Sequence, residues 1–359
     1  MAKTNNNFQF MNGIDSPQSW QQDLPSPDIE ICDENLNLFF KTMFERQEVW
    51  YKRFILKQKA PWTEDQFLAN NKFTNVYREL DRASQWLIKN VYLDNTLSEK
   101  DLIWKIICFR FFNQPDTFDL NQKIRVDLPK WKDFNVDKMY EQVIKVRESG
   151  RNPWHVSYMM NMAFLPKTFE PERGLFKDHA YINHLMVKVH QMIPNLFMNI
   201  QLATKPEQII TLLETLPAVS TFQSHEFFID FCYVNKYTAR KWFKFNENDY
   251  TNVGPGASLG IRLIFPSTLA KDQKQRIYDL RDISKEYMIE ISKANSANFK
   301  YISWNKAMKK YDVCKEESSL SLHQIEMFLC EFSKYWKMAL GKGKQRSKFK
   351  PSTYQTKLY

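Results

Sequence analysis

Glycine is scarce, with 8 among 359 residues. That is too few to turn the many short strands of a sandwich or barrel. The five cysteines, Cys32, Cys108, Cys232, Cys314 and Cys330, are scattered, odd in number and without C-x-x-C spacing. This pattern excludes a disulfide framework or a structural zinc and fits a reduced, cytoplasmic setting. No apolar run is long enough to span a bilayer, and the opening MAKTNNNFQF has no apolar signal core, so no membrane partner is expected. G-x-x-x-x-G-K-S/T, G-x-S-x-G and H-E-x-x-H are all missing. Phosphoryl transfer from a nucleotide bound in a P-loop, acyl transfer at a nucleophile elbow and zincin chemistry are therefore not expected. His179, His184 and His190 do not place two imidazoles on one helical face, so neither metal nor cofactor is expected.

Aromatics make up 15% and hydrophobics 43% of the chain, which suits an all-α globular protein with a large core. A formal charge of +10 points to a polyanionic partner. Residues 1–31, rich in Asn, Gln, Ser and Pro, are expected to form a flexible arm. Residues 32–336 form a helical region of two lobes, and residues 337–359 form a basic tail carrying Lys342, Lys344, Arg346 and Lys348.

Within the helical region, Ser98 and Asp101 cap a helix that is apolar almost all round yet carries Arg110, a charge needing a buried partner or a bound anion. In KFTNVYRELDRASQWLIKNV, Val76, Leu80, Ala83, Leu87 and Val91 share one face of a helix, and Asn75, Arg78, Arg82 and Gln85 the other, a solvated one. The stretch 204–262 holds the rest of the chemistry. Thr204 and Glu207 begin one helix, Leu216-Pro217-Ala218-Val219-Ser220 turns it, and Phe222 to Phe231 makes a second whose N-terminus can receive a phosphate. Gly254-Pro255-Gly256 opens another helix and is a second candidate anion nest. Candidate catalytic acids are Asp249 with Glu247 beside it in a polar loop, and Asp230 among phenylalanines.

The 216–220 turn resembles the L-P-G-V-G turn of helix-hairpin-helix DNA glycosylases, with Ala218 and Ser220 in place of glycine. Several stretches in order resemble one helical family: PWTEDQFL, KFTNVYRELDRASQWLI, the R-F-F-N of Arg110 to Asn113, NVGPGASLGI and HQIEMFLCEFSKYWK. This is the family of alpha-glutamyl/putrescinyl thymine pyrophosphorylases, also described as the helical domain attached to hydroxymethyluracil DNA kinases and regarded as a relative of those glycosylases. The resemblance implies a helix-hairpin-helix glycosylase-like fold and makes Arg78, Asp81, Arg82, Gln85, Arg110 and Asn113 site or DNA contacts. Phe222 stands where strand-cutting glycosylases carry a lysine, and the catalytic Asp position of those glycosylases falls near Trp242.

The expectation that follows is a monomeric, monofunctional DNA glycosylase that flips a hydroxymethylated or glucosylated pyrimidine out of phage DNA in antiviral defence and leaves an abasic site. DNA with modified bases is its partner. Asp249 or Asp230 faces the sugar, Tyr77, Trp86 and Tyr158 line the base pocket, and Ser220, Gly254 and Gly256 meet phosphates. The alternatives are a transferase adding an amino acid or amine to hydroxymethyl pyrimidines, and a non-enzymatic reader of modified DNA.

Overall fold

A stretch with no polar face cannot lie on a surface, and the helix opened by Ser98 has almost none. In the computed structural model every residue from Asp101 to Phe112 is buried except the half-buried Lys105. The structure describes residues 30–155, 165, 176–305, 310–314 and 316–342. The expected N-terminal arm, apart from its last two residues, and the tail beyond Lys342 lie outside them.

Twelve α-helices are described. They are α1 (Asp33–Trp50), α2 (Gln66–Asn70), α3 (Arg82–Leu87), α4 (Glu99–Phe112), α5 (Val136–Glu148), α6 (Phe176–His179), α7 (Val187–Leu202), α8 (Pro206–Glu214), α9 (Thr221–Tyr237), α10 (Pro255–Ile264), α11 (Gln273–Ala294) and α12 (Leu322–Ala339). Among the described residues a single antiparallel strand pair interrupts them, β1 (Ile302–Asn305) against β2 (Lys310–Val313), with Ile302 opposite Val313. Here Trp304 packs its ring edge on the cross-strand Tyr311, the kind of aromatic pair that holds so short a ladder. One apolar core runs from Leu36 in α1 to Phe332 in α12.

Local signals hold at α4, where Ser98 Oγ accepts from the Asp101 N–H at 3.2 Å and the Asp101 carboxylate accepts from the Ser98 N–H at 3.1 Å. Asn113 ends this helix in the left-handed conformation at φ 48°. Elsewhere the caps differ from those expected. Asp65 accepts from the first N–H groups of α2, and the Gln208 amide oxygen, not Glu207, accepts from Thr204 N–H at 2.7 Å.

The segment expected as one long helix from 72 is broken. Residues 72–77 are not helical, Arg78–Leu80 is a 3₁₀ turn, and only then does α3 start. Asn75 is the reason: its Nδ2 donates to the Leu80 carbonyl at 3.1 Å and to Asp81 Oδ1 at 2.9 Å, bonds that compete with helix formation. Nor is the polar face solvated, because Asn75, Arg78 and Gln85 are all buried and only Arg82 is exposed.

Glycines 256 and 260 decide how α10 meets α12. A Cβ on Gly260 would lie 2.5 Å from the Leu329 carbonyl oxygen, and one on Gly256 would run into Cys330 Sγ. The two helices approach backbone to side chain because these positions carry none.

Candidate functional site: a cleft braced by buried charge

Arg110 sits in the last turn of the buried α4, so its guanidinium needs a countercharge inside the protein. Asp230 of α9 supplies it as a two-pronged pair: Arg110 Nε donates to Oδ2 and Nη2 to Oδ1, both at 2.7 Å. Tyr92 donates its hydroxyl to Oδ1 at 2.8 Å, and Arg78 Nη2 reaches Oδ2 at 3.4 Å. Arg78 also pairs with Glu226 at 2.9 Å. Burial alone would raise the Asp230 pKa, but the charges of Arg110 and then Arg78 outweigh it and hold the carboxyl below its usual range. Asp230 is completely enclosed, and four donors occupy its lone-pair positions. It faces protein rather than a cavity.

The remaining donors of Arg110 build outward. Nη2 donates to Ser84 Oγ at 3.1 Å and Nη1 to Asn113 Oδ1 at 3.0 Å. Asn113 is the left-handed residue that swings the chain off α4, so the R-F-F-N stretch ties the core charge to the segment that follows. That segment lines a cleft of about 380 Å³, with Gln114, Asp116 and Thr117 on one side and Arg151, Asn152, Trp154 and His155 among the other walls. The volume lies within the range of small-molecule sites.

Trp154 is stacked on Phe112 at 4.0 Å between centroids and donates its indole N–H to Asp178 at 2.6 Å. Arg151 Nη1 donates to the Asp116 carbonyl at 3.3 Å, and Arg82 pairs with the Asp116 carboxylate. The surroundings are cationic: burial lowers the His155 pKa first, and the charges of Lys72 and Lys177 lower it further.

The expected site residues therefore fall into groups. Arg78, Arg110, Asn113 and Asp230 come together, and Arg82 reaches the cleft through Asp116. Gln85 donates to the Leu80 carbonyl at 3.4 Å. Asp81 accepts from Asn75 and is pushed up to about 6 by burial, against the pull of Asn75 and of the Arg46 and Arg78 charges.

Asp249 lies in an exposed loop, where its Oδ2 accepts from the Asn246 N–H at 2.7 Å. Glu247 pairs with Lys236 at 2.7 Å. Ser220 and the Gln223 side chain cap α9 reciprocally, and Gly256 packs on Cys330. Tyr77 and Trp86 are core residues, Trp86 lying parallel to Phe109 at 4.6 Å, and neither lines the cleft. Tyr158 lies outside the described residues.

A further group was not anticipated. His225 of α9 and His323 and Glu326 of α12 are all buried, each with a potential ligand atom within 4.8 Å of the others'. Burial, then the nearby Arg78, lowers His225 to about 3. Burial and the charge of Glu226 raise Glu326 to about 8, while the Gly254 N–H pulls the other way. The sequence signal was the H-x-x-E spacing at 323 and 326, which puts both side chains on one helical face. Their third member is remote in sequence.

Residues 33–345 match the family described as the helical domain of 5-hmdU DNA kinase. The chain belongs to that family. Among curated relatives, the 5-hmdU DNA kinase of Bacillus phage SP10 is 25% identical over 307 residues, which cover 84% of this chain and 44% of the relative. The chain thus spans less than half the length of that relative. No solved structure matches.

Family membership overturns the expected activity. The family and the relative are named for a kinase, so hydrolytic excision of a base, the glycosylase assignment and the antiviral role built on it are withdrawn. The comparisons give no support to a transferase of amino acids or amines. The fold is largely helical as expected, and no described helix is long and apolar enough to cross a membrane.

Proposed function

We propose that this chain is the part of a 5-hydroxymethyldeoxyuridine DNA kinase system that grips DNA and presents the modified base. The observation that carries this reading is the family match over residues 33–345. The cleft beside α4 supports it. Its volume accommodates a pyrimidine nucleoside rotated out of the stack, and Gln114, Gln122 and Asn152 offer amides for the base edge. Lys72, Lys177, Arg82 and Arg151 supply positive charge around it for the phosphates on either side.

In the reaction, the hydroxymethyl oxygen forms a bond to the terminal phosphorus of a nucleoside triphosphate. The bridging P–O bond breaks, the nucleoside diphosphate leaves, and the hydroxyl proton passes to a base. These 359 residues contain no P-loop. We therefore assign the phosphoryl donor to a separate nucleotide-binding part, in keeping with the extra length of the phage relative. Such an encounter belongs inside the cell, where DNA and nucleotides meet.

We also infer that the α8–α9 hairpin shares its turn with helix-hairpin-helix proteins and contributes to the DNA grip. Ala218 holds φ 67°, the left-handed geometry for which that turn ordinarily uses glycine.

The test is binding of oligonucleotides that differ at one position, 5-hydroxymethyldeoxyuridine against thymidine. One hydrogen bond to the added hydroxyl gives roughly three- to tenfold preference. Equal affinity for the two rejects the proposal. Labelled phosphate from ATP appears on the hydroxymethyl strand when the nucleotide-binding part is supplied.

A further inference from the structure

We propose that His225, His323 and Glu326 bind a divalent transition-metal cation of the zinc class. The trio draws on two helices that meet in the core, with His323 and Glu326 three residues apart on α12 and His225 in the second turn of α9. Their ligand atoms lie within 4.8 Å of one another. Zinc–nitrogen and zinc–oxygen bonds of about 2.0–2.2 Å place tetrahedral donors about 3.3–3.5 Å apart. Rotamer adjustments that shorten the longest separation by up to about 1.5 Å therefore bring three donors to bonding distance and leave the fourth position to water.

The chemistry of the donors points the same way. Both ring nitrogens of His323 and the Nε2 of His225 are buried with no hydrogen-bond partner among the described residues. A buried polar atom without a partner is costly, and each one in a native structure calls for an explanation such as a bound water or ion. A cation satisfies one lone pair on each ring at once.

Among the described residues Glu326 has no ion pair to a basic side chain; the Gly254 N–H approaches this buried carboxylate from the N-terminus of α10, and the Glu226 carboxylate adds a second negative charge. Arg78 is the foremost cation acting on both histidines, with Lys274 also acting on His225 and Arg110 on His323, and Glu226 and Asp230 already engage Arg78. Two imidazoles and a carboxylate without thiolate form a set used by zinc and by non-haem iron, and the divalent affinity order favours zinc over iron. The same Arg78 ties this group to the Asp230 network behind the cleft, so metal binding would stiffen the support of α4 and α9. The inference does not depend on the proposed kinase role.

The experiment uses the full chain, stripped with EDTA, re-equilibrated with ZnCl₂ alone and desalted before elemental analysis, with FeCl₂ under anaerobic conditions as a second arm. One zinc per chain is expected, with affinity reduced at least about a hundredfold in Glu326→Gln and His323→Leu and unchanged in His184→Gln. His323→Leu removes two orphaned nitrogens, so its metal-free melting temperature equals or exceeds that of the metal-free wild type; this separates loss of binding from loss of fold. Zinc should raise the wild-type melting temperature and leave that of His323→Leu unmoved. Absence of retained metal in the wild type overturns the proposal, and so does equal retention in all four proteins, which would mark adventitious surface binding.

Discussion

Replacing Asp230 with Asn tests the account of the core directly. The substitution keeps shape and volume but removes the one carboxylate on which Arg110, Arg78 and Tyr92 converge. An amide has a single acceptor oxygen and turns an NH₂ toward a guanidinium, so at least one 2.7 Å charge-assisted bond is lost and the Arg110 charge stays buried. Breaking a buried pair from one side costs about 3–5 kcal/mol, a large share of the 5–15 kcal/mol typical of a domain.

Urea unfolding monitored by tryptophan fluorescence measures the loss, and the double variant Asp230→Leu/Arg110→Met should lose less than the single one, because Arg78 keeps Glu226. The pH dependence has a definite sign. The folded carboxyl lies below its usual range, so its stabilisation is complete above the unfolded value near 3.9 and disappears as pH falls through the folded value. The gap between wild type and Asp230→Asn should therefore be constant above about pH 5 and narrow in acid. A loss under 1 kcal/mol at pH 7, or a gap unchanged down to pH 3, refutes the reasoning.

Ala218→Gly should stabilise the protein by about 0.5–1 kcal/mol in the same unfolding assay, since relief of left-handed strain exceeds the added chain entropy. Gly260→Ala should cost about 1–3 kcal/mol by forcing α10 off the Leu329 carbonyl, whereas Gly254→Ala, whose Cβ would lie 3.6 Å from Glu326, should change stability little. In fluorescence-anisotropy titrations, Arg151→Ala should weaken DNA binding and flatten its dependence on salt, by about one unit of slope if Arg151 meets one phosphate. Gln114→Ala should instead erase the preference for hydroxymethyldeoxyuridine over thymidine while leaving the salt slope intact.

The chain by itself determined what depends on neighbours in sequence. Scarce glycine and abundant apolar periodicity gave a helical protein, and the Ser98–Asp101 box gave the start of α4. An arginine on a helix with no polar face announced a buried partner. Which acid would answer it was a tertiary matter, because Asp230 lies 120 residues away and the choice over Asp249 follows from how α9 packs on α4.

The same distance hid the meeting of His225 with His323, and the role of Gly256 and Gly260 as contact points for α12. Helical periodicity misled at residues 72–81, since Asn75 and Asp81 drew the backbone into side-chain bonds that compete with the helix, whereas residues 82–92 are helical as the pattern implies. Local patterning sets which segments can be helices. Long-range packing decides which charged side chains are buried together, because desolvation is imposed by elements far apart along the chain.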